Sequence, residues 1–378
     1  MRRTAALIAG GGPAGAAAAI LLAHGGAMPV LIERQAEPHD VVCGGFLAAD
    51  AIAMLARIGI DVFALGAHPI GRTRIIAGRR RAEAALPFAA AGLSRNRLDA
   101  ALLQAATDQG AAIERGVAIR RVDPATRCLD LADGARIGGE ALFLATGKHD
   151  LRGHPRAAPL DADPALGLRV RLRPSPALAA ALADTIELHL FRGGYAGLLV
   201  QEDGGANLCL SVAQSRLKAA GGQPDRLIAL LEREAPLLAE RFGAAAETGP
   251  WSSIARVPYG WRATQAAPGL FRLGDQAAVI ASLAGDGIAI ALASAVRATH
   301  AFLHDGPDAA AAFQADIARR TRRPIALANL LRHWGETPWI AGPLAGLLGH
   351  VPGLLRQAAA MTRVGAGQSC ASNRSSAS

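Results

Sequence analysis

The most constraining stretch of this 378-residue chain is its start. Residues 4–32 contain no Asp, Glu, Lys or Arg, and Arg2-Arg3 stands just ahead of them. Such a run reads either as a membrane helix or export signal, or as buried elements separated by turns. Gly10, Gly11, Gly12, Pro13, Gly15, Gly25, Gly26 and Pro29 interrupt it, too many breakers for one continuous helix. The run therefore divides. Residues 5–9 form a short buried strand, residues 10–15 a turn, an alanine-rich helix follows to about His24, and residues 29–32 make a second strand that ends at Glu33.

This is a β–turn–α–β unit with G-x-G-x-x-G on its turn and an acid closing the second strand, an arrangement that fits dinucleotide binding. Gly10 permits the tight turn. Gly12 lets a pyrophosphate approach the backbone, and Gly15 lets helix and strand pack closely, with Ala14 between them. The helix start supplies N–H donors and a partial positive charge to the phosphates. Glu33, followed by Arg34, is placed to accept hydrogen bonds from ribose hydroxyls.

Further along, Ser94 opens a periodic helix through Thr107 that Gly110 ends, and residues 141–147 form a buried strand closing on Gly147. Residues 168–212 alternate and carry β-branched residues and turns, which predicts an antiparallel sheet. Helical segments follow at 224–242. Strand, turn and helix return at Phe271-Arg272-Leu273, Gly274-Asp275 and from Gly285 onward; helices follow Pro307. Residues 366–378 read as a polar, disordered tail.

Composition narrows the function classes. At 51% hydrophobic residues the chain can bury a sizeable core, which excludes a disordered or fibrous protein. The net charge is +9, yet the 40 basic residues include only two lysines, Lys148 and Lys218, and the arginines are scattered. The one run of three consecutive arginines, Arg79-Arg80-Arg81, has no interleaved aromatics, so nucleic acid is not expected as a partner. Cys43, Cys128, Cys209 and Cys370 lack metal or CxxC spacing, and no metal site is expected; so few, widely spaced cysteines point to a reduced, intracellular protein.

Three blocks carry a family resemblance: G-G-G-P-A-G with Glu33, Ala145-Thr146-Gly147, and Gly274-Asp275 with Gly285-Asp286-Gly287. Together they resemble the FAD-dependent oxidoreductases of the para-hydroxybenzoate hydroxylase fold, in the branch of geranylgeranyl reductases and flavoprotein monooxygenases. The resemblance covers roughly residues 4–300. It implies FAD as cofactor, with Asp275 on the ribityl hydroxyls and Gly285, Gly287 and Ile288 against the flavin ring. It also implies that Arg95 is directed at FAD and that Val42-Cys43-Gly44-Gly45 is a loop beside the ring. Gly194-Tyr195-Ala196-Gly197 is similar to the branch's G-Y-x-W, with Gly197 in place of the Trp, which removes bulk from a cavity wall. Ala281-Ser282 replaces the usual Asp-Pro. Thr146 replaces the Asp of a motif that helps some hydroxylases use NAD(P)H, so the donor is NAD(P)H or another, separate reductant. The W-x-W-x-I-P motif of flavin halogenases is not supplied by Trp251-Ser252-Ser253-Ile254.

The expected fold class is α/β: a Rossmann-like FAD-binding domain interleaved with a smaller substrate domain on an antiparallel sheet, plus C-terminal helices. The expected boundaries are 1–155 for the FAD domain, with 80–94 lent to the substrate domain, then 156–263 for that domain. The FAD domain returns at 264–306, C-terminal helices occupy 307–365, and the tail is 366–378. The resemblance leaves three activities open. They are hydroxylation of a lipophilic aromatic, polyketide- or quinol-like substrate, reduction of isoprenoid C=C bonds, and electron transfer without a small substrate. Candidate catalytic residues are Cys43 and Tyr195; Tyr195 either lines the substrate cavity or packs under the sheet. His149 and Arg152, after the Ala-Thr-Gly turn, face solvent or the site, and Asp286 reads as a helix cap. Residues 337–355 lack Asp, Glu, Lys and Arg but carry Gly or Pro at 342, 343, 346, 349, 352 and 353. They read as broken amphipathic helices that cover the core, line an entrance, or rest on a bilayer. The protein is expected in the cytoplasm, free or peripheral at the inner face of a membrane.

Overall fold

The computed structural model describes residues 1–157, 161–351, 353–354 and 356–357; the expected tail and Cys370 lie outside them. Two mixed sheets organise the chain. The first has the spatial order Ala112–Arg115, Pro29–Glu33, Arg2–Ala9, Arg136–Leu144, Cys128–Leu131, Ile119–Asp123, with Leu270–Arg272 also pairing Arg136–Leu144. Its centre is parallel: Ala6 to Ala9 lie beside Pro29 to Ile32 on one side and Ala141 to Leu144 on the other. Strands covered on both faces need unbroken apolar runs, which is what those residues supply. The carboxyl ends of the Arg2–Ala9, Arg136–Leu144 and Leu270–Arg272 strands therefore open at one edge of the sheet, where α/β folds place their ligands.

The Pro13–His24 helix has Pro13 in its first turn and Gly25 after its last, the expected asymmetry of a helix with a fixed start and stop. It packs on Gly287–Asp305. That second helix is long and apolar enough to cross a membrane, but 56% of its apolar window is buried inside the fold, where it also contacts Ala310–Gly335. Phe143 stacks on Phe271 at 4.9 Å between centroids, with Phe302 edge-on at 5.5 Å from Phe143, beneath the same sheet edge.

The second sheet has nine strands. Its order is Ala245–Thr248, Ala165–Pro174, Ala206–Ala213, Gly194–Val200, Thr185–Phe191, His68–Ala77, Arg80–Gly92, Phe46–Ala48, with Ser252–Ile254 on Ala165–Pro174. Two features go beyond the sequence expectation. Phe46–Ala48 and His68–Ala77 also belong here, so the contribution from the first half of the chain is larger than 80–94. The Thr185–Phe191 and His68–Ala77 strands pair in parallel within an otherwise antiparallel sheet. Antiparallel partners share hairpin turns that sequence shows directly; a parallel pair joined across more than a hundred residues leaves no local mark.

Along Thr185–Phe191 the side chains alternate between faces. Ile186 and Leu188 look into the cleft described below. Glu187 and His189 are wholly buried, and Glu187 accepts from Arg74 Nη1 at 2.6 Å, from Arg241 Nε and Nη2 at 3.2 Å each, and meets His189 Nε2 at 3.1 Å.

After Pro307 the chain forms Ala310–Gly335 and Pro338–His350. Both helices run on through an internal proline, Pro324 and Pro343, and the break expected within residues 337–355 falls at Val351, after His350. A proline at 343 forfeits only the bond to the Trp339 carbonyl, in an exposed first turn where water can replace it.

Candidate functional site

The glycine turn is built as its spacing predicts. Gly10 has φ of 105° and its N–H donates to Ile32 O at 2.9 Å. A Cβ on Gly15 would stand 1.9 Å from Gly10 O, so only glycine lets this helix sit so close to its strand. Gly12 differs: its φ of −71° is ordinary, and a Cβ there would meet only Arg95 Nη2, at 3.1 Å. The space in front of Gly12 is thus open, with a guanidinium on its far side.

Arg95 reaches that position from the first turn of Arg95–Asp108, which Ser94 caps by accepting from Arg97 N–H. Asp99 holds it with two hydrogen bonds, 2.8 Å to Nε and 2.7 Å to Nη2. Burial opposes its charge, but Asp99 and then Cys43 outweigh burial and hold its pKa above the ordinary arginine value. A fixed cation facing a helix N-terminus makes a site for a diphosphate.

A cleft with about 1360 Å³ of empty space, counting its open mouth, runs from this turn between the two sheets. It is lined by Gly12, Ala14, Cys43, Gly44, Arg95, Gly147, Gly274, Asp275, Gly285, Gly287 and Ile288, all expected from sequence, and by Tyr195. Gly44, Gly147 and Gly287 have no atom within 4 Å of where a Cβ would stand, so their backbones are bare toward the cleft. A second helix, Gly287–Asp305, also starts on it. Two helix N-termini, an arginine and three bare glycine backbones form a cradle that an extended, diphosphate-bearing cofactor such as FAD fits.

Four expected residues lie outside the cleft lining. Gly10 and Gly15 shape the turn without facing it. The Glu33 carboxylate accepts from Gly11 N–H at 2.6 Å and Gln35 N–H at 2.9 Å, at the end of the second strand. Arg34 is exposed, 3.0 Å from His149 Nε2. His149 and Arg152 are both exposed. Asp286 occupies the N-cap position, but its side chain makes no capping hydrogen bond.

The structure adds residues that the motifs did not mark. Lys148 Nζ lies 3.7 Å from Asp275 Oδ2 and donates to Val42 O at 3.3 Å. Burial disfavours its ammonium, but Asp275, and after it Cys43, keep the pKa above the ordinary lysine value. Arg156 donates to the carbonyls of Gly147, Lys148 and Asp275 and to Asp150 Oδ1, clamping two cleft turns together. Asn207 Nδ2 donates to Cys43 O at 3.0 Å and Gly44 O at 2.8 Å, and Arg169 Nε donates to Asn207 Oδ1 at 2.7 Å. The Cys-Gly-Gly loop is thereby fixed from the second sheet. The lysine did carry a signal, being one of only two in a chain whose cations are arginine.

Beyond the glycines the cleft is walled by Ile186, Leu188, Leu199, Ile254 and Val257. Tyr195, 3% exposed, lines it, and its hydroxyl accepts from Leu283 N–H at 3.0 Å. Burial pushes the Tyr195 phenol well above its ordinary pKa, so it stays protonated. Tyr259 Oη meets Ser282 Oγ at 2.7 Å. Gly197 leaves its wall open: a Cβ there would find its nearest neighbour, Leu188, at 3.8 Å.

Residues 3–127 match the family described as FAD binding domain. No curated protein matches the chain. Among solved structures it is similar to PqsL of P. aeruginosa in complex with 2-aminobenzoylacetate, with 18% identity and a TM-score of 0.71, covering 91% of this chain and 100% of that one. It is similar to the flavin-dependent brominase Bmp2 at 17% identity and a TM-score of 0.76, covering 95% and 93%. A geranylgeranyl bacteriochlorophyll reductase-like protein from Thermoplasma acidophilum gives 18% identity and a TM-score of 0.71, covering 96% and 97%. At such identities the likeness is one of fold, and the fold is that of FAD-binding flavoproteins.

Proposed function

We propose that the protein is an FAD-dependent monooxygenase acting on a lipophilic, electron-rich substrate such as an aromatic, polyketide or quinol. The observation that carries this reading is the apolar wall of Ile186, Leu188, Leu199, Ile254 and Val257 facing the glycine cradle in one continuous cleft. Bound FAD supplies the redox chemistry, taking up reducing equivalents and passing them to O2 or to substrate. The chain supplies placement. The two helix starts and Arg95 offset the diphosphate charge, Lys148 orients Asp275 for the sugar-alcohol hydroxyls, and the aliphatic wall excludes water. Tyr195 and Tyr259 are the polar groups able to orient a substrate hydroxyl or carbonyl, and Tyr195, being neutral, can donate. The 2-aminobenzoylacetate bound to PqsL is an aromatic ligand and supports this substrate class by analogy of fold only.

A second reading, reduction of an isoprenoid double bond, draws on the Cys43-Gly44-Gly45 loop, which Asn207 holds at the cleft. Halogenation is less favoured, because Trp251 is turned to Asp225 and Phe242 instead of lining the cleft. Reduced holoenzyme mixed with O2, with and without candidate phenols and quinols, tests the first reading. Substrate-dependent O2 uptake with an oxygenated product is expected. Anaerobic saturation of a geranylgeranyl chain would move the assignment to the reductase. Normal flavin content with neither reaction would leave an electron-transfer flavoprotein. Parallel assays with NADH, NADPH and a chemical reductant identify the donor.

Asp275→Ala should weaken FAD binding on the order of tenfold to a hundredfold, since hydrogen bonds to a charged acceptor contribute roughly 1.5–3 kcal/mol. Asp275→Asn should be milder, because its amide oxygen still accepts. FAD titration of the deflavinated proteins checks this; equal dissociation constants would remove Asp275 from the cofactor site.

A further inference from the structure

The Pro338–His350 helix packs on the Arg80–Gly92 and His68–Ala77 strands with one face and leaves the other bare. Trp339 is 77% exposed, Leu347 54%, Val351 44% and Leu354 43%. Residues 339, 343, 347 and 351 recur every fourth position, so Trp, Pro, Leu and Val form one stripe along the helix. No Asp, Glu, Lys or Arg interrupts residues 337–351. Beside this stripe begins the only run of three consecutive arginines in the chain. Arg79, Arg80 and Arg81 are exposed, and among the described residues none pairs with a carboxylate. Arg80 lies along the helix: a Cβ on Gly342 or Gly346 would stand 3.8 or 3.6 Å from it.

We propose that this face, the exposed stripe of the Pro338–His350 helix together with Arg79 and Arg80, docks on an anionic lipid bilayer. The charge selects the occupant. A helix lying in the bilayer interface buries its apolar stripe among acyl chains while neighbouring cations meet lipid phosphates, and Trp favours that depth. A second copy of the chain in a two-fold contact would add the same two arginines to the interface with no carboxylate on the stripe to meet them, and like charges repel. The net charge of +9 favours approach to an anionic surface over its whole extent.

The test uses FAD-loaded, full-length protein with vesicles of phosphatidylcholine alone or mixed with phosphatidylglycerol. The protein is expected to sediment with the mixed vesicles and not with the neutral ones, and to be released by high salt. Each arginine near such a surface is worth roughly fivefold in partitioning, so Arg79→Gln and Arg80→Gln together should lower it about 25-fold. Trp339→Ser with Leu347→Ser should also release the protein while leaving flavin content and melting unchanged, because both side chains face solvent. Equal retention on both vesicle types, or none on either, overturns the proposal. Concentration-dependent dimers that Trp339→Ser abolishes, without vesicle binding, would give the face to a second copy.

Discussion

Gly12→Val protein is expected to fold and to purify without bound FAD. The backbone at Gly12 has φ of −71°, which any residue adopts, so the substitution introduces no backbone strain. The new side chain enters the space between the helix start and Arg95 Nη2, 3.1 Å from where its Cβ stands. Valine there fills the position of the diphosphate and pushes the guanidinium away. Losing two charge-assisted hydrogen bonds at roughly 1.5–3 kcal/mol each lowers affinity on the order of a thousandfold. Circular dichroism of the variant should match wild type while its flavin absorbance is lost. Gly15→Ala is the contrasting control. Its Cβ collides with Gly10 O at 1.9 Å, so that protein should lose the fold along with the cofactor. Full flavin content in folded Gly12→Val would show that the diphosphate lies elsewhere.

Glu187→Gln should lower the unfolding free energy on the order of 3 kcal/mol, because it leaves the half-buried Arg74 and Arg241 and the buried His189 facing a neutral amide. The effect should depend on pH with a definite sign. Burial alone would raise the pKa of Glu187, but hydrogen bonds from His189 and Arg241, and their charges, bring it down from 4.5 to about 2. A folded-state pKa below the unfolded one gives stability that is complete above about pH 4.5 and is lost as pH falls toward about 2. That shift corresponds to on the order of 3 kcal/mol. Denaturant titrations at several pH values should therefore show wild type converging on Glu187→Gln across this window. A constant gap between the two would mean that the carboxylate is not ionised in the folded protein. FAD affinity of the folded variant should be unchanged, since Glu187 lies on the face of its strand opposite Ile186 and Leu188.

How much of this was legible in the sequence follows from the range over which each feature acts. The first βαβ unit is local: Gly10, Gly12, Gly15 and Glu33 lie within one strand–helix–strand, and each has a single steric or polar job. Asp275, Gly285 and Gly287 are marked by resemblance, and the structure lines them along the same cleft as Gly12. Asn207 and Arg156 carry no such mark, and Lys148 only that of its rarity. Asn207 looks like any polar residue of a strand, and Arg156 like any loop cation. Cys43 O and Gly44 O meet Asn207 only through the packing of one sheet on the other, and Asp275 O meets Arg156 only once the return strand pairs with Arg136–Leu144. The same holds for Phe46–Ala48 and His68–Ala77, whose membership in the second sheet depends on partners far along the chain. Polar side chains bonded to distant backbone carbonyls carry no periodicity and no motif, so tertiary structure alone reveals them.

The position of Leu270–Arg272 beside Arg136–Leu144, with most of the second sheet inserted between them in sequence, bears on the order of assembly. The glycine turn can form as soon as the first βαβ unit exists, but Asp275 and the Arg156 clamp arrive only when the chain has returned across more than a hundred residues. Such non-local pairing is slow to close. A nascent or refolding chain therefore acquires its secondary structure well before it can retain FAD, and until then the cradle's apolar walls are open to other contacts. Flavin uptake becomes a clock for a long-range pairing, timed by the return strand and not by the glycine motif at the start of the chain.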